Sequence, residues 1–179
     1  AAGEWQTVRI DSEGDRLFGS RFRLMGGPVI SVTDLAETAG GGLAVTGVTD
    51  RLGMNLSFFL NCFSGTGELL FEISDSLRFH ASGGMLLTDS LGIFLAGSTG
   101  EERDDGYFLP PRDTDVFLIR YDNRGNELWR RITELPGENG PLAMSISPDG
   151  SVIIAASRFM HDNYDERTIL VINFPEAIP

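Results

Sequence analysis

Lysine is absent from this chain and cysteine occurs once, and each shortage closes off a chemistry. All 14 basic residues are arginine, so there is no lysine to form a Schiff base, act as an amine nucleophile or reach a phosphate from a glycine-rich loop. A lone Cys62 closes no internal disulfide, and two histidines far apart in sequence provide no Cys/His zinc framework. Cys62 itself lies in an apolar run and reads as a small buried residue rather than a nucleophile. No apolar stretch approaches the ~20 residues that span a bilayer, and no basic-then-apolar leader precedes Ala1. The expectation is a soluble piece without a membrane span, any lipid anchor lying outside this chain. Positive charge is scarce as well. The net charge of -12 repels a duplex or an anionic bilayer, so nucleic acid is not an expected partner. The common catalytic motifs are missing: there is no Gly-x-Ser-x-Gly elbow, no His-Glu-x-x-His and no phosphate loop, and Gly40 to Gly42 precede a strand-like run instead of a helix.

What is present is a core-sized apolar fraction, 41% of 179 residues, with 22 glycines for closely spaced turns, and the sequence repeats. Val8 to Phe18, Asn61 to Phe71 and Ile119 to Trp129 share one pattern. An aromatic residue or Ile, three turn-prone residues and Gly are followed by a polar residue, any residue, Leu, and Phe or Trp. The anchoring glycines, Gly14, Gly67 and Gly125, lie 53 and 58 residues apart. A second landmark keeps step with them: the runs 42–47, 92–97 and 151–156 end 33, 30 and 31 residues after their anchors. A weaker third element lies between, at 30–34, 85–89 and 144–148. No segment carries a convincing amphipathic helix. Phe58 to Phe63 and Phe117 to Tyr121 are β-branched or aromatic, Asp122 to Gly125 supply a turn, and Glu127 to Ile132 return as the second strand of a hairpin. Leu142 to Ile146 alternate with a period of two, and Val152 to Ala156 are apolar without alternation, which predicts burial on both faces.

Asp122, Gly125 and Trp129, followed by Ser147 to Gly150 and an apolar strand, resemble the quinoprotein-type β-propeller repeats of bacterial secreted proteins and surface lipoproteins. Phe18 and Phe71 stand in place of the tryptophan, and Ser64 in place of the aspartate. The resemblance implies an all-β fold, a β-propeller or partial propeller of four-stranded antiparallel blades, in an extracytoplasmic setting, periplasm or cell surface. An immunoglobulin-like sandwich is the competing all-β architecture, although sandwiches need no internal repetition. One repeat domain, 1–179, then comprises units of approximately 1–55, 56–114 and 115–166 with a partial unit at 167–179, about three and a quarter repeats. The strands fall as two, four, four and three. That count leaves inter-blade faces and strand edges uncovered, which predicts a protein partner or a second copy that completes the propeller, the alternative being further blades on a longer chain of which this is a fragment.

In such units the glycine turns share one end, and the long connections gather at the other. The connection at 98–114 is the longest: Gly97 and Gly125 are 28 residues apart where Gly47 and Gly67 are 20 apart. Added loop length on a repeat scaffold commonly serves binding, and Tyr107 and Phe108 beside two prolines make stiff aromatic anchors. Arg103 and Arg112 supply carboxylate clamps, and Asp104, Asp105 and Asp113 complete the expected binding set. These acids lack the alternating spacing of a calcium loop, so no cofactor is assigned and calcium is only weakly indicated. His161, with Asp162 and Asp165, reads as a polar loop tip. The favoured function is a non-enzymatic, protein-binding or scaffold module of an exported or surface-attached bacterial assembly, with no catalytic residue assigned. Two alternatives stay open. A carbohydrate- or peptide-processing enzyme would gather at least two of Glu101, Asp104, Asp105, Asp113, Asp162 and Asp165 in one pocket. A calcium-stiffened module would hold the ion on the same loops.

Overall fold

The computed structural model describes residues 5–10, 12–22, 29–51, 55–75, 80–100, 113–160 and 167–175. Every regular element among them is a β-strand: β1 (Trp5–Ile10), β2 (Arg16–Phe22), β3 (Val29–Glu37), β4 (Leu43–Arg51), β5 (Asn55–Phe63), β6 (Leu69–Asp75), β7 (His80–Asp89), β8 (Gly92–Gly100), β9 (Thr114–Asp122), β10 (Glu127–Ile132), β11 (Glu138–Ile146), β12 (Val152–Phe159) and β13 (Arg167–Phe174). Consecutive strands pair antiparallel in groups of two, four, four and three: the hairpin β1–β2, then a first, a second and a third multi-strand group, β3–β6, β7–β10 and β11–β13. A single parallel bridge, Glu138 to Thr114, joins the last two groups into one seven-stranded sheet. The described strands close into neither a barrel nor a ring.

The sequence landmarks correspond to backbone register. Gly47 faces Phe59, Gly97 faces Phe117 and Ala156 faces Leu170, while Leu43, Ile93 and Val152 face Phe63, Tyr121 and Phe174. Each of the three multi-strand groups carries a β-bulge at the same place in its first strand, at Thr33, Gly84 and Leu142. Each hairpin carries another at the leucine of the repeated pattern: Leu17, Leu70 and Leu128 are the extra residues, 58%, 57% and 56% exposed. A bulge inserts one residue and sharpens the twist, so the next side chain turns back inward. That next residue is Phe71 or Trp129, both packed against buried clusters. In the second and third of these hairpins the turn before the bulge is tied by its first side chain. Asp122 accepts the backbone N–H groups of Arg124 and Asn126, and Ser64 does the same for Thr66 and Glu68. Serine therefore substitutes for aspartate because only an acceptor is needed there. Gly125 adopts φ +83°, and a Cβ there would lie 2.7 Å from the Phe71 ring, so the turn of one group seats directly on the aromatic of the preceding one.

The core is shared between groups. One cluster joins Phe58, Leu60 and Cys62 of β5 to Leu86, Ile93, Leu95, Phe117, Ile119 and Tyr121 of the β7–β10 group. Another joins Phe94, Ala96, Val116 and Leu118, on the opposite face of that group, to Ile154, Ala156 and Phe174. The middle sheet is thus covered on both sides, which alternation along β8 and β9 requires. Hydrogen bonds also cross between groups: Leu86 N–H donates to Asp34 Oδ2 at 2.7 Å, and the Thr88 hydroxyl donates to the Glu37 carbonyl at 2.6 Å.

The third group departs from the sequence expectation. Ile153 is 36% exposed, and on the same face Ile169 and Val171 are 70% and 74% exposed. β12 is therefore buried on one face only, because no described strand lies against the other.

Arg120 is a buried cation inside the second cluster. Its guanidinium lies 3.9 Å from the centre of the Phe94 ring and donates to Asp89 Oδ1 at 2.6 Å. Burial raises the Asp89 pKa, but hydrogen bonds from Arg120 and from the N–H groups of Leu91 and Gly92, with the arginine charge, outweigh it and leave it lowered. A carboxyl with a lowered folded pKa contributes stability that is present above the ordinary value of about 4 and lost as pH falls through the folded value. Acid titration of stability should accordingly show a shallower decline below about pH 4 in Asp89→Asn than in the parent. Equal slopes would show that this pair does not govern the acid limb.

Candidate functional site

Antiparallel pairing places the end of β4 beside the start of β5, the end of β8 beside the start of β9 and the end of β12 beside the start of β13, in each case at the end of the pair away from the glycine turns. At that end, where the second and third groups meet, a cavity of about 410 Å³ opens. Ser98 closes one side from β8 and Thr114 from β9; Glu138, Asn139 and Gly140 come from the start of β11, and Ser157, Arg158 and Phe159 from the end of β12.

Asn139 organises the wall. It is 2% exposed, and its amide donates to the carbonyls of Thr114 at 2.8 Å, Gly137 at 2.9 Å and Leu135 at 3.2 Å. The Thr114 hydroxyl donates to the Asn139 carbonyl and accepts its N–H, both at 2.8 Å. Three carbonyls around one NH2 group fix the amide orientation, which leaves Asn139 Oδ1 buried without a hydrogen-bond partner. Asn139 and Arg158 are direct cross-strand partners, so their side chains leave the sheet on one face with Cβ atoms about 5 Å apart. Arg158 makes no ion pair or hydrogen bond among the described residues; its Nε is buried and unmatched, and the two terminal nitrogens remain open.

Of the residues expected to bind, Asp113 is described, and it serves the backbone: its carboxylate accepts the Gly137 N–H at 3.2 Å. Asp115 accepts the Leu135 N–H at 3.0 Å, so both acids pin the 133–137 connection to the start of β9. Arg103, Asp104, Asp105, Tyr107, Phe108 and Arg112 lie outside the described residues, as do Glu101, His161, Asp162 and Asp165. Among the described residues no three His, Cys, Asp or Glu side chains converge as metal ligands. Cys62 is buried on β5, and burial pushes its thiol pKa up, away from the thiolate.

The sequence reading did not single out Asn139 or Arg158. Both stand in ordinary polar contexts, Glu-Asn-Gly and Ser-Arg-Phe, and neither belongs to a motif. The signal that finds them is comparison by register. The positions equivalent to Ser98, Thr114, Asn139 and Arg158 in the preceding interface are Val48, Leu56, Ala81 and Thr99, of which Val48, Ala81 and Thr99 are buried. The repeat is mostly apolar at this level in one interface and wholly polar in the next. No family model and no curated protein matches this chain.

Proposed function

We propose that this chain is a non-enzymatic assembly module of the β-propeller type, each antiparallel group acting as one blade, in an exported or surface-attached bacterial complex. The single observation that supports the reading is the exposed apolar face of β12 and β13. By register Ile153, Ile169 and Val171 correspond to Phe94, Val116 and Leu118, which are 5% exposed or less beneath the following group. A surface built to the same pattern as a buried inter-sheet face suits a further sheet as its occupant. A second copy of the chain offers one, since Val8 and Ile10 of β1 are 49% and 61% exposed on the face that, by register, packs backward in the other groups. The loop carrying Arg103, Tyr107, Phe108 and Arg112 adds partner contacts at the long-connection end in this reading.

Sedimentation across about a hundredfold range of concentration tests it. The molar mass should rise with concentration, and Val171→Arg should weaken association at least about tenfold, about 1.4 kcal/mol, with unchanged thermal stability. A single-chain mass at every concentration would overturn it.

A further inference from the structure

We infer that the cavity between the second and third groups is a binding site for a carboxylate group carried by a peptide, with Arg158 as its cation and Ser98 and Ser157 lining other parts of the same cavity. This site is separate from the exposed face of β12 and β13 and stands or falls independently of assembly.

The first argument is the interruption of the repeat. Between the first and second groups the corresponding level holds Val48, Leu56, Ala81 and Thr99, three apolar residues and none that is charged. Putting a serine, a threonine, an asparagine and an arginine at the same level leaves a buried acceptor, Asn139 Oδ1, and a buried donor, Arg158 Nε, unmatched in one cross-strand pair. Each such group costs about 1–3 kcal/mol; at the same two register positions the preceding interface leaves one such atom, Thr99 Oγ1, and holds no charged group.

The second argument concerns charge. A guanidinium whose terminal nitrogens are open and unpaired is best met by a planar carboxylate, which takes two parallel N–H bonds. The hydroxyl of Ser98 makes no hydrogen bond within the described chain, and that of Ser157 has only a long one, 3.4 Å to the Gly140 carbonyl. The Ser98 hydroxyl is therefore the free donor in the wall. Glu138 in the same wall and the net charge of -12 oppose a dianion or a run of acids, so the fit is to one isolated carboxylate. The volume lies within the ordinary range for small-ligand sites, about 300–1,000 Å³.

Gly140 keeps the space open. A Cβ there would lie 3.6 Å from Ser98 Oγ and 3.8 Å from Ser157 Oγ, ordinary contact distances, so Gly140→Ala fits the fold while entering the space beside both hydroxyls.

The test is an NMR titration of the intact chain with three peptides: N-acetyl-trialanine with a free carboxylate, the same peptide as its carboxamide, and an amidated peptide bearing one glutamate side chain. The free α-carboxylate or the glutamate peptide should shift the amides of Ser98, Asn139 and Arg158, and the relative affinities of the two identify which carboxylate the site takes. The neutral carboxamide should bind at least about tenfold more weakly. Arg158→Thr, which copies the residue at the equivalent position, and Gly140→Ala should each lower the affinity at least about tenfold without lowering the melting temperature. Equal binding of all three peptides, no shift with any of them, undiminished affinity in Arg158→Thr, or displacement of the peptide by glucose would overturn the assignment. Because the readout is local, a chain that fails to self-associate can still bind the peptide, and one that binds no peptide can still associate.

Discussion

Replacing Phe117 by alanine is expected to remove about 3–5 kcal/mol of folding stability, a loss at the upper end for a single core truncation. Phe117 is fully buried on β9, its ring centre 5.4 Å from that of Phe58 on β5. The two rings belong to different antiparallel groups, so the hole left by truncation lies between two hydrogen-bonded ladders. Neither ladder can move inward to fill it without breaking its own register. Urea denaturation should show a lower midpoint with an unchanged slope, because the surface exposed on unfolding is nearly the same. Leu128→Ala supplies the contrast: that side chain is 56% exposed in a bulge, and its loss should fall within about 0.5 kcal/mol. A Phe117→Ala loss below about 1 kcal/mol would show that the two groups do not share a core.

Asn139→Asp should cost at least about 3 kcal/mol at neutral pH despite its near-identical shape. The substitution replaces an NH2 group by an oxygen among the carbonyls of Thr114, Leu135 and Gly137, so three acceptors lose their donor and face a negative charge. Ionisation of the new carboxyl is disfavoured in the folded state, which raises its pKa above the unfolded value. The penalty therefore grows as pH rises past the ordinary carboxyl range of about 4, the reverse of the dependence expected for Asp89. Thermal melts of the variant at several pH values read this directly. A pH-independent loss would mean that the carboxylate has found water.

Much of the fold was legible because its cause is local and periodic. The β-branched and aromatic run Phe117 to Tyr121, the turn acceptors Asp122 and Ser64, and the recurrence of glycine and leucine at near-constant spacing all arise within a few residues of one another. They therefore yield strands, hairpins and the grouping of two, four, four and three. The recurrent place of the bulge was visible only as an unexplained leucine before an aromatic, since a register shift is a relation between two strands. Val152 to Ala156 misled for the same reason. An apolar run reports how many faces can be buried, whereas Ile153 stays exposed because burial needs a covering surface from elsewhere.

The candidate site was less legible. Sequence pointed to the long-connection end through the insertion at 98–114; of its expected binding residues Asp113 is described, and it holds the neighbouring backbone. Asn139 and Arg158 have no distinguishing local context, and their significance comes from facing Ser98 and Thr114 across two groups of strands. The sequence by itself determined the all-β class, the repeat and the position of its turns, because hydrogen-bond ladders and turn geometry depend on near neighbours. Only the tertiary structure decided which faces are covered, where the leucine bulges lie and where one polar level interrupts the stacked apolar ones. Those depend on contacts between residues dozens of positions apart, where register, and no single motif, sets which side chains meet.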